Sequence, residues 1–194
     1  VVDDYLPVDK HGNLLCSQTT NSSSDSLELW VSLIEKAYMK LCGGYNFPGS
    51  NSGVDLFSLT GWIPERVHFA KDPTNVQDHE SPPERAWERI FGASSYGDCL
   101  ITVSTQRELS QAEADEIGLV TGHAYAVLGV LQTKNGTRLL QLKNPWAHKG
   151  WKGRFSSGDA ESWRSPSFRK EVGYDPELAS QKDDGVFFIC WDDI

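Results

Sequence analysis

Residues 123–146 read HAYAVLGVLQTKNGTRLLQLKNPW, and this stretch decides the fold of the 194-residue chain. Ala124 to Leu131 form an apolar run, Asn135-Gly136 is a strong turn signal, and Leu139 to Leu142 form the returning run. Asn-Gly readily adopts the positive φ angles that tight turns between antiparallel strands require. The stretch therefore predicts an antiparallel β-hairpin.

The ends of this hairpin bring two polar side chains to the same edge of the sheet. His123 begins the first strand and Asn144 ends the second, 21 residues later. A two-residue turn at Asn135-Gly136 would pair Val127 with Asn144, so that His123 and Asn144 share a face. In that ideal register His123 lies four residues beyond the position opposite Asn144, roughly 13 Å at about 3.3 Å per residue. A wider loop or a β-bulge must close this gap, and Gly129 is the bulge candidate.

The two residue types suit acid–base chemistry. An imidazole can accept a thiol proton and later return it to a leaving amine. An amide oxygen that accepts one ring N–H fixes the tautomer and direction of the other nitrogen. A histidine oriented by an asparagine is two thirds of a Cys-His-Asn catalytic set, and Trp146 is positioned to shield that hydrogen bond from water. The residues alone are also compatible with a structural histidine and an ordinary Asn144-Pro145 turn, so both interpretations stay open.

The rest of the chain predicts short helices around a sheet. Asp25 and Glu28 form a capping-box pattern for a helix that runs to Leu41 and ends at Gly43-Gly44. Further elements are predicted over these ranges: loops at 43–61 and 71–83, a short helix around 87–91, a buried strand within 96–105, a capped helix from Ser110, strands at 151–155 and 186–191, and helical pieces near 159–164 and 176–181. The class is α+β, with antiparallel strands in the C-terminal two thirds.

Composition excludes several classes of function. The net charge is −9 and no basic run exceeds two residues, so neither nucleic-acid binding nor a polybasic membrane patch is expected. No apolar stretch approaches the length of a membrane span. The four cysteines, at positions 16, 42, 99 and 190, form no CxxC pair, which favours reduced thiols and a cytoplasmic location. The chain begins at Val1 and its only methionine is Met39, so a piece of a longer protein is expected.

Seven short motifs follow one another along the chain: Val2-x-Asp4-x-Leu6-Pro7, Glu35-Lys36-Ala37-Tyr38-x-Lys40, Leu59-Thr60-Gly61-Trp62, Gly122-His123-Ala124-Tyr125, Asn144-Pro145-Trp146, Trp151-x-Gly153-Arg154 and Asp184-Gly185-x-Phe187. Each is modest alone, but in this order they resemble the calpain cysteine peptidases, specifically the second half of the calpain protease core. Trp62-Ile63-Pro64-Glu65 and Gln141-Leu142-Lys143 are closer to the atypical PalB-type calpains.

The resemblance implies a papain-like antiparallel β-sheet or barrel subdomain with flanking short helices. Residues 25–194 would be protease core subdomain II, and residues 1–24 an extended segment from the end of the first subdomain. In this family His123 would be the catalytic base and Asn144 would orient it. Gly122 would offer backbone contacts to a protein or peptide substrate, and Trp146 would pack beside the pair in the cleft. The nucleophilic cysteine and an oxyanion glutamine would lie in the first subdomain, outside this chain.

Two further sites need comparison with the family pattern. Gly97-Asp98-Cys99 imitates the nucleophile motif, but Cys99 opens a β-branched strand instead of a helix, so a buried structural thiol is predicted.

Calcium-regulated calpains bind an ion in this half, and the matching positions here are Gly150, Ser157, Asp184 and Val186. Calcium prefers six or more oxygen ligands. Asp184 is therefore the single weak candidate ligand, and no metal or other cofactor is firmly expected.

The resulting hypothesis is part of a calpain-type cysteine endopeptidase, inactive when separated from its nucleophile. The main alternative is a catalytically inactive calpain homologue that serves as a binding or scaffold module. A third interpretation is a β-rich interaction domain in which His123 and Asn144 never meet.

Overall fold

The computed structural model describes residues 1–19, 28–68, 80–105, 110–147, 149–181 and 184–194. Its helices are α1 (Trp30–Leu41), α2 (Ser52–Thr60), α3 (Pro83–Tyr96), α4 (Gln111–Ile117), α5 (Pro166–Val172) and α6 (Pro176–Gln181); its strands are β1 (Thr102–Ser104), β2 (Ala124–Gln132), β3 (Arg138–Lys143) and β4 (Val186–Cys190), followed by a 3₁₀ turn at Trp191–Asp193. Backbone contacts divide the chain into two units, Val1–Asp55 and Leu56–Ile194.

The second unit is built on a four-stranded antiparallel sheet in the order β1-β2-β3-β4. Consecutive strands are neighbours, as is common where short connections join antiparallel strands. This sheet and the helices around it confirm the predicted α+β class. The predicted hairpin is β2 and β3, at the centre of the sheet.

Both faces of the sheet are buried where β3 and β4 pair. Leu140, Leu142, Phe187 and Ile189 pack with α3 on one face, while Leu139, Phe188 and Cys190 pack with Trp163 and Val172 on the other. Successive strand residues point to opposite faces, so an unbroken apolar run such as 186–190 suits a strand covered on both sides.

In the first unit, the polar face of α1 holds the N-terminal segment. Ser32 is fully buried and its hydroxyl donates to the Ser17 carbonyl at 2.7 Å. Lys36 forms an ion pair with Asp3, and Lys40 Nζ donates to the Val1 carbonyl at 2.8 Å. These polar contacts on one face of the helix tie residues 1–17 to it.

The start of α1 differs from the prediction. The helix begins at Trp30, its N-cap is Leu29, and no side chain caps it, so the predicted capping by Glu28 is wrong; Asp25 lies outside the described residues. Trp30, Ile34 and Leu41, apolar residues that share one face of the helix, are exposed. The reason is that the opposite face, with Ser32, makes the contacts to the N-terminal segment.

Among the other predicted elements, some are confirmed and some differ from the structure. The predicted loop 43–61 contains α2, and the predicted buried strand is the short, half-exposed edge strand β1. The cap at Ser110 is confirmed, with Glu113 N–H donating to its hydroxyl and the Glu113 carboxylate accepting from the Ser110 N–H. α6 and the C-terminal strand are also confirmed. Most of the predicted loop 71–83 lies outside the described residues.

Two predicted elements are replaced by turns. Residues 151–155 are not a strand, because the Trp151 indole donates to the Arg154 carbonyl at 2.8 Å and folds over Gly153, leaving no room there for a Cβ. Residues 159–164 form turns closed by the Asp159 carboxylate, which accepts from the Ser162 N–H at 3.2 Å. In the described part of the chain, no helix combines the length and the apolar character needed to cross a bilayer.

Candidate active site

Two irregularities in the β2–β3 hairpin bring His123 toward Asn144. Beyond the pair Gln132–Arg138, Thr133 and Thr137 close a turn of three residues, 134–136, which is one more than predicted, so the predicted two-residue turn is wrong. The loop is closed by the Thr133 N–H, which donates to the Thr137 carbonyl at 2.9 Å. A register shift between Val127 and Gly129 confirms the expected bulge. Each change moves the register by one residue.

Together the two changes halve the offset between His123 and the position opposite Asn144, from four residues to two. Ala126 pairs with Lys143, so the continuing register sets Tyr125 opposite Asn144, and His123 lies two residues beyond it. An offset of two keeps both side chains on one face of the sheet, at a spacing that side chains can bridge.

A hydrogen bond joins the two predicted residues. His123 Nε2 lies 3.0 Å from Asn144 Oδ1. Asn144 is fully buried, its Nδ2 donates to the Lys149 carbonyl at 2.9 Å, and its Oδ1 also accepts from the Trp146 N–H at 3.0 Å. The interpretation in which His123 and Asn144 never meet is therefore wrong.

The surrounding bonds also fix which ring nitrogen carries the proton. A carbonyl can only accept and a backbone N–H can only donate, so Lys149 and Trp146 determine which way the Asn144 amide faces. His123 Nε2 must then be the donor to Asn144 Oδ1. In the neutral ring this leaves Nδ1 as the acceptor, the nitrogen able to take a proton from a neighbouring group.

Two aromatic rings contact the imidazole. The Trp146 ring lies 4.2 Å from the His123 ring, centroid to centroid, and 63% of Trp146 is exposed. The Tyr125 ring meets the imidazole edge-on at 4.9 Å and is buried. Burial raises the pKa of the Tyr125 phenol, which stays neutral and accepts a hydrogen bond from the Val120 N–H at 2.9 Å. One side of His123 is thus held by the core, while Trp146 forms an outer surface beside it.

Glycines shape the backbone at both members of the pair. Gly122 has φ +55°, a left-handed conformation that favours glycine directly before His123. Gly185 has φ +75°, and its carbonyl accepts from the Asn144 N–H at 2.9 Å. A Cβ on Gly185 would overlap the Asn144 carbonyl oxygen. The Asp184-Gly185 motif thus has a physical role that the sequence alone did not reveal.

Thr105 is a further residue at the site that the sequence did not single out. Its hydroxyl accepts from the His123 N–H at 3.0 Å, and its own N–H donates to the His123 carbonyl at 3.0 Å. In the sequence, Thr105 is marked only by its place at the end of a β-branched run. The pairing of that run with the strand that follows His123 could not be predicted.

The two cysteines of the second unit lie away from His123 along the sheet. The Ile101 carbonyl accepts from the Val127 N–H at 3.0 Å, so Ile101 lies beside Val127. Val127 is four residues from His123, which is about 13 Å along the strand at about 3.3 Å per residue. Cys99 comes two residues before Ile101 in the chain and is half-buried, less deeply than predicted. Cys190 pairs with Leu139, at the far end of β3 from Asn144, and burial raises the pKa of its thiol.

The residues at the family's calcium positions do not fit a calcium ion. Gly150, Ser157 and Val186 line a cavity of about 740 Å³ and offer no carboxylate to it. The Asp184 carboxylate accepts from the Val186 N–H at 3.0 Å. In the described part of the chain no three His, Cys, Asp or Glu side chains cluster as metal ligands would. A hard divalent cation requires several charged oxygens, so this donor set is unsuitable.

Asp159 also lines that cavity, but its carboxylate is committed to a turn. Asp159 accepts from the N–H groups of Phe155 and Ser162. Hydrogen bonding, first from the Ser162 side chain and then from these backbone groups, holds the pKa of the Asp159 carboxyl below its usual value, although burial acts in the opposite direction. Asp159 therefore stabilises its own loop.

Comparisons with known proteins agree with this arrangement. Residues 1–194 match the family model described as calpain family cysteine protease. The chain is 48% identical to human Calpain-7 over 194 residues, which is 100% of this chain and 22% of that protein. It is 43% identical to the calpain-like protease palB/RIM13 of Aspergillus oryzae over 147 residues, 76% of this chain and 16% of that protein. It is 30% identical to mouse Calpain-5 over 211 residues, 100% of this chain and 31% of that protein.

The family model and the two numbered calpains match the whole chain, but the chain covers only a small part of each relative. It spans 22% of the length of human Calpain-7. The resemblance to calpains and to PalB-type calpains expected from the short motifs is confirmed. The chain belongs to the calpain family of cysteine proteases.

Proposed function

We propose that this chain supplies the acid–base half of a calpain-type cysteine endopeptidase, which hydrolyses internal peptide bonds. In this proposal His123 deprotonates a cysteine thiol through Nδ1, and Asn144 holds the imidazole in the tautomer that leaves Nδ1 free. The observation that carries the proposal is the 3.0 Å hydrogen bond between His123 Nε2 and Asn144 Oδ1. Family membership favours this use of the pair over a purely structural one.

The nucleophile would come from the protease subdomain that precedes this chain. The thiolate attacks the carbonyl carbon of the scissile bond, and the proton taken up by His123 passes to the leaving amine. Water then attacks the acyl-enzyme, with His123 accepting its proton, and the thiol is released. Residues 25–194 would form the second subdomain and residues 1–24 the end of the first, so this chain alone would not turn over substrate.

The other predicted residues have supporting roles in this proposal. The exposed Trp146 would form the wall of the cleft next to His123, and the left-handed Gly122 would present its backbone to an extended protein or peptide substrate. The protein would act in the cytoplasm, a reducing compartment in which its four cysteines would stay as free thiols.

The test is peptide cleavage by a protein in which this chain follows its natural preceding subdomain. His123→Ala is expected to lower kcat by about 10⁴-fold or more, because the general base of a cooperating catalytic set is lost. His11→Ala is the matched control, since His11 is exposed and lies in the other unit. Cleavage that survives His123→Ala would overturn the proposal.

The inactive-homologue alternative has its own outcome in this test. A residue other than cysteine at the nucleophile position, with no cleavage by the unmutated protein, would favour a binding or scaffold module instead.

A further inference from the structure

The backbone of His123 is held by hydrogen bonds that do not involve Asn144. The Thr105 hydroxyl donates to the Val120 carbonyl at 2.5 Å and accepts from the His123 N–H at 3.0 Å. The Val120 oxygen can only accept and is much nearer to the hydroxyl than the His123 carbonyl at 3.4 Å, so the single hydroxyl proton points to Val120 and a lone pair remains for the His123 N–H. One side chain therefore joins both ends of the turn that leads into β2.

Tyr125 holds the same turn from the other side. Its hydroxyl accepts from the Val120 N–H at 2.9 Å, so both backbone groups of Val120 are bonded to side-chain hydroxyls. Tyr125 is only 2% exposed, and its ring contacts both the His123 ring and Phe187 of β4. The turn is thereby connected to the buried core.

The Thr105 hydroxyl is not needed to pair β1 with β2. Backbone bonds do that, from the Thr105 N–H to the His123 carbonyl and from the Val127 N–H to the Ile101 carbonyl, each at 3.0 Å. What the two hydroxyls add is a fixed path for residues 120–123, which include the left-handed Gly122. Without them, the hydrogen bond at the His123 carbonyl remains at one end of the turn and the buried Val120 side chain at the other, but the path between them is less fixed.

We propose that Thr105 and Tyr125 are positioning residues for His123, fixing the backbone from Val120 to His123 so that the free imidazole nitrogen keeps its direction. This inference rests on the proposed peptidase function. Asn144 holds one ring nitrogen, but a ring held at one atom can still pivot about it. Thr105 and Tyr125 fix the other end of the residue, and the two anchors together define where Nδ1 points.

The experiment uses the complete protease and compares Thr105→Val with Thr105→Ser. Valine keeps the branched shape and removes the hydroxyl, so kcat is expected to fall about 10- to 100-fold, because a misdirected catalytic group loses its near-attack geometry. KM should change little, since neither residue is proposed to contact substrate. Serine restores the hydroxyl and should restore most of kcat. Ser104→Ala, at the exposed residue directly before Thr105, is the matched control.

A second variant covers the case in which Thr105→Val fails to fold. Tyr125→Phe keeps the ring contacts and removes only the hydroxyl, and it too should lower kcat with little change in KM or Tm. Wild-type kcat in a folded Thr105→Val or in Tyr125→Phe would overturn the inference. His123→Ala is assayed in parallel: if that variant stays active, the peptidase function itself fails, whereas its inactivity beside fully active Thr105→Val rejects only the positioning role.

Discussion

Replacing Asn144 with alanine should destabilise the fold as well as slow catalysis, because one buried amide serves three partners. Its Oδ1 accepts from His123 Nε2 and from the Trp146 N–H, and its Nδ2 donates to the Lys149 carbonyl. Asn144 is fully buried, so water cannot readily replace it. At a net contribution of about 1 kcal/mol for each bond, the loss is about 3 kcal/mol of unfolding free energy.

The stability assay is urea unfolding followed by tryptophan fluorescence. A lower midpoint with an unchanged slope would report lost stability in the native state. Asn135→Ala is the matched control: the Asn135 Oδ1 also accepts three hydrogen bonds, from Thr133 and Thr137, but in an exposed turn. Water can take over those bonds, so the control should lose less than about 1 kcal/mol.

The activity assay separates orientation of the ring from stability. In the complete protease Asn144→Ala should lower kcat by about 10²-fold, since the imidazole loses its aim. Asn144→Asp keeps an acceptor for His123 but cannot donate to Lys149, so it should lose stability while retaining more kcat than the alanine variant. The reasoning is refuted if Asn144→Ala costs no more stability than Asn135→Ala, or if it cleaves peptide at the wild-type rate.

Three further changes test the loops around the pair. Gly185→Ala should cost clearly more stability than Gly136→Ala, because both glycines have positive φ but only at Gly185 would the new methyl group overlap the Asn144 carbonyl; equal midpoints in urea would contradict this. Asp159→Asn should lower Tm at neutral pH, and the difference should shrink as pH falls below about 3.9, because a carboxyl with a lowered pKa stabilises the fold fully above its unfolded pKa of about 3.9 and loses this contribution as pH falls through the lower folded pKa; a Tm difference independent of pH would contradict it. Calcium chloride followed by a chelator should shift Tm equally in wild type and Asp184→Asn, since this donor set does not fit the ion; a shift lost only in the variant would reveal a site there.

The sequence predicted best where one local signal dictates the backbone. Asn135-Gly136 marked the hairpin, Ser110 with Glu113 marked the start of α4, and the run at 186–191 marked the C-terminal strand. Each signal acts within a few residues and needs no distant partner. The pairing of β2 with β3 therefore followed from residues 123–146 alone.

Prediction failed where a distant or folded-back contact decides the structure. The Ser110 and Asp25 patterns look alike in sequence, but α1 begins beyond Asp25 and is oriented by contacts between Ser32 and the N-terminal segment. Residues 151–155 have the composition of a strand, yet the Trp151 ring turns back over Gly153. Thr105 could not be found because its partners lie 15 and 18 residues away, across a strand pairing absent from any local pattern.

The contact between His123 and Asn144 depends on two register changes, and the sequence did not show that both are needed. With neither change His123 is four residues from the position opposite Asn144, on the correct face but too far away. With either one alone the offset is three, and because strand side chains alternate, His123 would point to the opposite face. Only the wider loop and the bulge together give an offset of two, which keeps the face and closes the distance to a 3.0 Å hydrogen bond. The bulge residue Leu128 is half-exposed and packs no core, so its presence in β2 is explained by register: the extra residue is what turns His123 toward Asn144.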